Sequence, residues 1–387
     1  MKVLHVIPSY VPAYRYGGPV YSVHGLCRAL VGRGHALDVL TTNRDGPGES
    51  AVPIGEPVDV DGVRVWYYRC PALRRLFWAP AMGRALRQRV AGYDLVHVHA
   101  LFLWTSVAAG RAARRAGVPY IVSPRGMLVR DLVRGRSSWA KAGWLRLFGR
   151  RLLAGAAALH VTSTVEAGAA RSFGLALPPL FVVPNGIDPP AAAGDGRASG
   201  PDADDADRPS DLLFLGRISW EKGLDRLLVA LRSVPGAQLT IAGNDEGGYR
   251  PRLERQAQAA GVADRVRFTG PVADARKRAL LQSAKLLVLP SYSENFGNVV
   301  LEAMAEGCPA VVTPEVGASD LLVESGAGIV AGGSPETLGP AIAALLADAG
   351  RRREMGERGR EAARVRYCWS AVGLLMEQQY RRVVGAR

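Results

Sequence analysis

Short runs of β-branched and aliphatic residues alternate along this chain with longer Ala/Leu/Arg-rich segments of helical period. Strands apolar on both faces must be covered on both faces, and short strands separated by helices pair in parallel, so the fold class is α/β with doubly wound sheets. The sequence predicts strands at 3–8, 37–42, 63–69, 95–99, 120–123, 159–162 and 181–184, and again at 212–215, 239–242, 266–269, 286–289 and 310–312. Between the two sets, Pro-Pro-Ala-Ala-Ala-Gly-Asp-Gly follows Asp188, and an Asp-rich stretch without periodicity reaches Ser210; this reads as a linker. A chain of 387 residues exceeds the size at which a single core keeps growing. The expectation is two Rossmann-like domains, 1–189 and 211–368, joined by a linker at 190–210, with a helical tail at 369–387.

With 48% hydrophobic residues and a mean hydropathy of +0.04, each half can build its own core. Apolar runs such as 152–159 fall short of the roughly 18 residues that span a bilayer, and Met1–Pro8 is interrupted too soon for a secretory leader. Cys27, Cys70, Cys308 and Cys368 show no C-x-x-C spacing, so neither a zinc site nor a disulfide framework is expected, and the compartment is read as cytoplasmic. Charge is lopsided. Residues 1–190 carry 24 Lys and Arg against 10 Asp and Glu, net +14, whereas residues 191–387 carry 25 against 25. The first half therefore suits a polyanionic partner, nucleic acid or an anionic membrane surface.

In open parallel sheets ligands bind beyond the carboxyl ends of the strands, where helix amino termini point inward. The unusual residues cluster there: Gly17 and Gly18, His99, Ser123 to Gly126, then Gly216 and Arg217, Gly243 and Asn244, Gly270, and Ser291 to Asn298. The stretch 289–305 is the most informative. A buried strand ends in a polar turn and a helix begins near Gly297, so the backbone amides of Phe296, Gly297 and Asn298, next to Asn295, offer an anion site suited to a diphosphate. Glu294 and Glu302 bracket that site; they repel phosphate and suit hydroxyl donors such as those of a sugar and a ribose.

This segment resembles the E-x7-E signature of retaining nucleotide-sugar transferases of glycosyltransferase family 4, which have the GT-B fold of two Rossmann-like domains facing across a cleft. Three further segments resemble the same family in the same order: Gly17-Gly18; Pro184-Asn185-Gly186-Ile187-Asp188; and Gly216-Arg217-Ile218-Ser219-Trp220-Glu221-Lys222-Gly223. The resemblance implies that Arg217 and Lys222 hold the nucleotide diphosphate, that Glu302 binds ribose hydroxyls, and that Glu294 lies near the donor sugar. It also implies a tail helix that crosses back to the first domain. On chemistry alone, a guanidinium gives forked bonds to phosphate and an ammonium a compact charge, and only five lysines occur among 49 basic residues.

His97 and His99 share one face of a strand, but no third metal ligand stands at a convincing spacing, so no metal is expected. His99, nearer the strand's end, matches the family's cleft histidine and is assigned to the sugar or acceptor pocket; His97 reads as a core residue. No G-x-G-x-x-G follows the first strand, which counts against a nicotinamide dehydrogenase. Ser123-Pro124-Arg125-Gly126-Met127-Leu128 resembles bacterial surface-polysaccharide members of the family, and Arg125 and Ser123 are assigned to the acceptor; an arginine bridged across its own loop is the other reading of Arg125. Arg125 to Arg151 carries eight Lys and Arg with one acid and interleaved Trp139, Trp144, Leu147 and Phe148, and Arg69 to Arg89 repeats the theme with Phe77 and Trp78. Such segments suit a membrane interface, or are amphipathic helices packed on the sheet. No nucleic-acid motif accompanies them.

The expected function is transfer of a sugar, with retention and without a metal or cofactor, from a nucleoside diphosphate sugar to a glycan or polyprenyl-diphosphate-linked acceptor. The protein is expected at the inner face of the plasma membrane. A sugar-nucleotide epimerase and a non-catalytic GT-B subunit are the alternatives.

Overall fold

The computed structural model describes residues 1–129, 138–190, 210–245, 247–272 and 274–386, and the side chains of all of these but 138–140. Most of the expected linker, residues 191–209, lies outside them, as does the side chain of Trp139. The chain divides into two compact units, Met1–Gly186 with Trp369–Arg387, and Ile187–Cys368.

In the first unit the strands are β1 (Lys2–Ser9), β2 (Ala36–Thr42), β3 (Pro57–Val60), β4 (Val63–Tyr68), β5 (Leu95–His99), β6 (Tyr120–Ser123), β7 (Ala158–Val161) and β8 (Leu180–Val182). They form one sheet in the order β8-β7-β6-β5-β1-β2-β4-β3. All neighbours are parallel except β3, which pairs antiparallel with β4. This edge strand was not predicted: Pro57-Val58-Asp59-Val60 alternates half-buried and exposed residues and carries too little apolar signal. Helix α1 (Gly18–Gly32) follows β1, and α2 (Trp104–Arg115) follows β5. Alternate residues of the strands feed two cores. Leu4, Val6, Val96, Val98 and Val122 face one; Val3, Ile7, Leu95 and Ile121 face the other, which the C-terminal helix, Trp369–Gly385, covers through Val372, Met376 and Tyr380. Trp369 anchors that helix in a socket floored by glycine. A Cβ on Gly25 would lie 2.2 Å from its Cε2, and one on Gly186 2.6 Å from its Cε3.

In the second unit β9 (Leu212–Leu215), β10 (Leu239–Ala242), β11 (Val266–Gly270), β12 (Leu286–Leu289), β13 (Ala310–Val312) and β14 (Gly328–Val330) are all parallel, in the order β11-β10-β9-β12-β13-β14. The last strand was missed because only three residues, one of them glycine, form it. Helices α3 (Leu224–Ala230), α4 (Asp274–Ser283) and α5 (Asn298–Glu306) pack around one continuous core. Strand order reverses between β9 and β12 here, and between β1 and β5 in the first unit; each reversal leaves a crevice beyond the carboxyl ends of those strands.

Candidate active site

In the second unit the loops after β9 and β12 touch, and glycine makes the contact possible. Gly223 is left-handed at φ +64°, and a Cβ there would stand 1.9 Å from Pro290 O. Gly243, at the end of β10, is as tightly placed, its hypothetical Cβ 1.7 Å from Gly216 O. Tyr292 N–H donates to Glu221 O at 2.7 Å, and Arg226 Nε and Nη2 donate to Pro290 O at 2.7 Å and Ser291 O at 2.6 Å. Glu294 is in turn tied to the loop after β13: its N–H donates to Glu315 O at 3.1 Å, and Gly317 N–H donates to its carbonyl at 3.0 Å.

This frame joins Lys222 to Glu294. Lys222 Nζ donates to Glu294 Oε2 in an ion pair that is mostly sheltered, with side-chain exposures of 13% and 19%. Three residues on, Gly297 caps α5 in the left-handed region at φ +89°, where a side chain would crowd Leu289, Val316 and Glu294 itself. Val300 N–H donates to Gly297 O at 2.9 Å to start α5, whose amino-terminal end carries the positive end of the helix dipole. Phe296 is buried in the core, so its backbone alone can serve a ligand. On the first turns of α5, Glu302 Oε1 accepts from Lys277 Nζ of α4 at 3.1 Å. Burial works against the Lys277 charge, but the Glu302 and Asp274 carboxylates outweigh it and raise its pKa. Arg217 is exposed at the end of β9, and Gly270, at φ +73°, has open space where a side chain would project. Asn244 O accepts from Ile218 N–H at 2.7 Å, which fixes the turn after β10.

Sequence reasoning missed Lys277 and Arg226. The scarcity of lysine that marked Lys222 applies equally to Lys277; nothing distinguishes Arg226 among the arginines.

In the first unit, register aligns His5 of β1 with His97 of β5. His5, His97 and His99 are buried with ring nitrogens within 4.8 Å of one another, so the sheet supplies the third histidine that spacing along the chain hid. Five of their six ring nitrogens are engaged in a chain, with His99 Nδ1 left buried and without a hydrogen-bond partner: His99 Nε2 lies 3.1 Å from His5 Nδ1, His5 Nε2 3.2 Å from Tyr380 OH, Tyr380 OH 2.7 Å from His97 Nδ1, and His97 Nε2 3.3 Å from His160 Nδ1. Burial, helped by the Arg125 charge, pushes His5 and His160 down to about 3, and burial and neighbouring rings hold His97 and His99 well below the usual histidine range. All four are neutral at pH 7. His99, assigned to a ligand pocket, is 1% exposed, and Ser123 is fully buried.

Among the described residues Arg125 has no ion pair across its loop, the second reading given above; residues 130–137 of that loop lie outside them. Arg125 Nη1 donates to Asn185 Oδ1 at 2.9 Å, and its Nε is buried without a hydrogen-bond partner. Both Arg125 (φ +52°) and Ala100 (φ +71°) hold left-handed backbone, a strained state for residues with a Cβ, at the ends of β6 and β5. Glu166 secures that end by accepting from Gly126 N–H at 2.6 Å and Thr162 N–H at 2.7 Å. Gly17, at φ +66°, caps α1, and Gly18 is its first residue.

A family described as Glycosyl transferases group 1 matches residues 202–362, and a Glycosyl transferase 4-like domain matches residues 17–186. Glycogen synthase of Mycobacterium tuberculosis is 30% identical over 421 residues, covering 98% of this chain and 94% of that protein. The chain belongs to glycosyltransferase family 4. Two solved structures share the GT-B fold of this glycosyltransferase. Sucrose-phosphate synthase from Thermosynechococcus elongatus has a TM-score of 0.75 at 24% identity over 100% of both chains. Anabaena HepE in complex with UDP has a TM-score of 0.73 at 19% identity, over 99% of this chain and 100% of that one. No helix among the described residues of the glycosyltransferase is long and apolar enough to cross a membrane.

Proposed function

We propose that this glycosyltransferase is a retaining, metal-independent hexosyltransferase of bacterial polysaccharide synthesis, whose second unit holds a nucleoside diphosphate sugar. The observation that carries the reading is the Lys222–Glu294 pair beside the amino terminus of α5, at the strand-order reversal of the second sheet. Arg217, Lys222 and the amides from Phe296 to Asn298 neutralise the diphosphate as the bond from the anomeric carbon to phosphate breaks. The acceptor oxygen bonds to the same face of that carbon, and its proton passes to the departing phosphate oxygen. Glu302 accepts ribose hydroxyls, and Glu294 and Asn295 meet the donor sugar. Backbone at Asn244 and Gly270 meets the nucleobase, and Gly17 and Gly18 approach the donor without a Cβ between them. Arg125 serves the acceptor, a glycan or a polyprenyl-diphosphate-linked oligosaccharide, and His99 and Ser123, both buried, support it from behind rather than meeting the acceptor as the sequence suggested. The positive first unit contacts an anionic membrane surface as a peripheral protein. Binding of UDP by HepE supports a nucleotide donor.

The test is a thermal-shift panel of UDP, GDP, ADP and CDP followed by donor-consumption assays with and without lipid-linked acceptor. One nucleotide should raise Tm, and donor turnover should require acceptor. Turnover to an epimeric sugar nucleotide without acceptor would overturn transfer in favour of epimerisation.

A further inference from the structure

Away from the strand ends, the first unit carries a cavity of about 480 Å³ between the last turns of α2 and the helical segment 145–154. Because α2 runs back from the carboxyl end of β5, Arg111, Arg114 and Arg115 sit at its far end, remote from the crevice. Together with Arg151 they line the cavity, and Leu147 and Phe148 complete its wall. Neither helical stretch contains an acidic residue. Among the described residues none of these four arginines has a carboxylate partner. The helix dipole favours positive charge at the ends of both helices, Arg114 and Arg115 in the last turn of α2 and Arg151 in that of the segment 150–154, but it does not account for Arg111, a turn earlier.

Two features narrow the ligand. Leu147 is 63% exposed beside the arginines, an apolar side chain with nothing packed over most of it. The backbone there, Leu145–Gly149, adopts a π-turn, a local winding that re-aims side chains and recurs at functional sites. Arg111 also lies over the Phe148 ring at 5.3 Å from its centroid, which holds the guanidinium at the cavity wall. A soluble anion would use the arginines and leave Leu147 without a role; a phosphate at the base of a hydrocarbon chain uses both.

We propose that this arginine cavity seats the phosphoryl headgroup of an anionic phospholipid, with Leu147 entering the interfacial layer beside it. The inference rests on the peripheral-membrane reading above and names the site through which it acts. Co-sedimentation with phosphatidylcholine vesicles, with and without one-quarter phosphatidylglycerol, tests it on the full chain. Wild type should bind only the anionic vesicles, and the Arg111→Gln/Arg115→Gln/Arg151→Gln variant should bind them at least tenfold more weakly. Leu147→Ser should weaken binding several-fold, and both variants should retain the wild-type Tm. Failure of wild type to bind anionic vesicles would defeat the peripheral reading itself. Equal binding by wild type and the triple variant would overturn the cavity and leave that reading standing. Loss in the arginine variant with none in Leu147→Ser, and competition by inorganic pyrophosphate, would mark a soluble-anion seat and overturn the lipid assignment.

Discussion

Lys222 and Glu294, brought together by the contact between the loops after β9 and β12, form an ion pair at the reversal point of the second sheet. The carboxylate holds the ammonium in the crevice and also competes with any phosphate for it. On the proposed function, removing Lys222 leaves the leaving group without its compact counter-charge. Lys222→Ala should lower kcat by about 10²- to 10³-fold while the far-ultraviolet circular dichroism stays that of wild type. Unchanged kcat would remove Lys222 from the reaction.

Glu302 should report on the nucleotide alone. On the proposed function Glu302→Ala loses the acceptors for the ribose hydroxyls and should weaken the preferred nucleoside diphosphate about tenfold, read by titration calorimetry. Lys277→Met, which releases the Glu302 carboxylate from its partner at 3.1 Å, should weaken it by a smaller factor.

Gly223 and Gly261 share left-handed backbone, at φ +64° and +67°, but only Gly223 has an atom in the way of a Cβ. Gly261→Ala should cost about 1 kcal/mol, the conformational penalty alone. Gly223→Ala adds the collision with Pro290 O and should cost about 3 kcal/mol or more, compared by urea midpoint at constant slope. Equal costs would show that the two loops do not meet as described.

The histidine chain of the first unit sets a pH dependence. His5 and His160 protonate near 6.5 in the unfolded chain but only at about 3 when folded. The unfolded state therefore binds more protons between those values, and stability present above pH 6.5 is lost as pH falls toward 3. Calorimetric Tm at pH 7, 5.5 and 4 should fall steadily. His160→Gln, which removes one of these titrating rings, should flatten the slope; an unaltered slope would place the acid sensitivity elsewhere.

Arg226 is a positioning residue. Its guanidinium spans Pro290 O and Ser291 O and lies 4.1 Å over the Tyr292 ring, so Arg226→Met should free the loop that carries Glu294. The expected result is a loss of about 2 kcal/mol in stability together with a rise in KM for the donor, since charged hydrogen bonds of this type are worth about that much. Arg226→Lys should recover only part of either, because an ammonium cannot reproduce the fork.

Local chemistry made much of this protein legible. Continuous apolar runs between helical segments required parallel sheets, and the strand-turn-helix at 289–305 was legible because a buried run, a polar turn and a glycine before a helical run are all local signals. The rarity of lysine singled out Lys222. Other features depend on residues far apart in the chain. His5 stands beside His97 only because β1 and β5 are neighbours, and Tyr380 joins them only because the C-terminal helix docks on that face of the sheet. Arg226 matters because it reaches carbonyls more than sixty positions away, and the arginine cavity exists only where two helices that carry no acid lie side by side. Periodicity and turn chemistry are written in neighbouring residues, so the sequence determined the elements and the kind of site they end in. Burial and pairing depend on which elements become neighbours, and that was decided by tertiary packing.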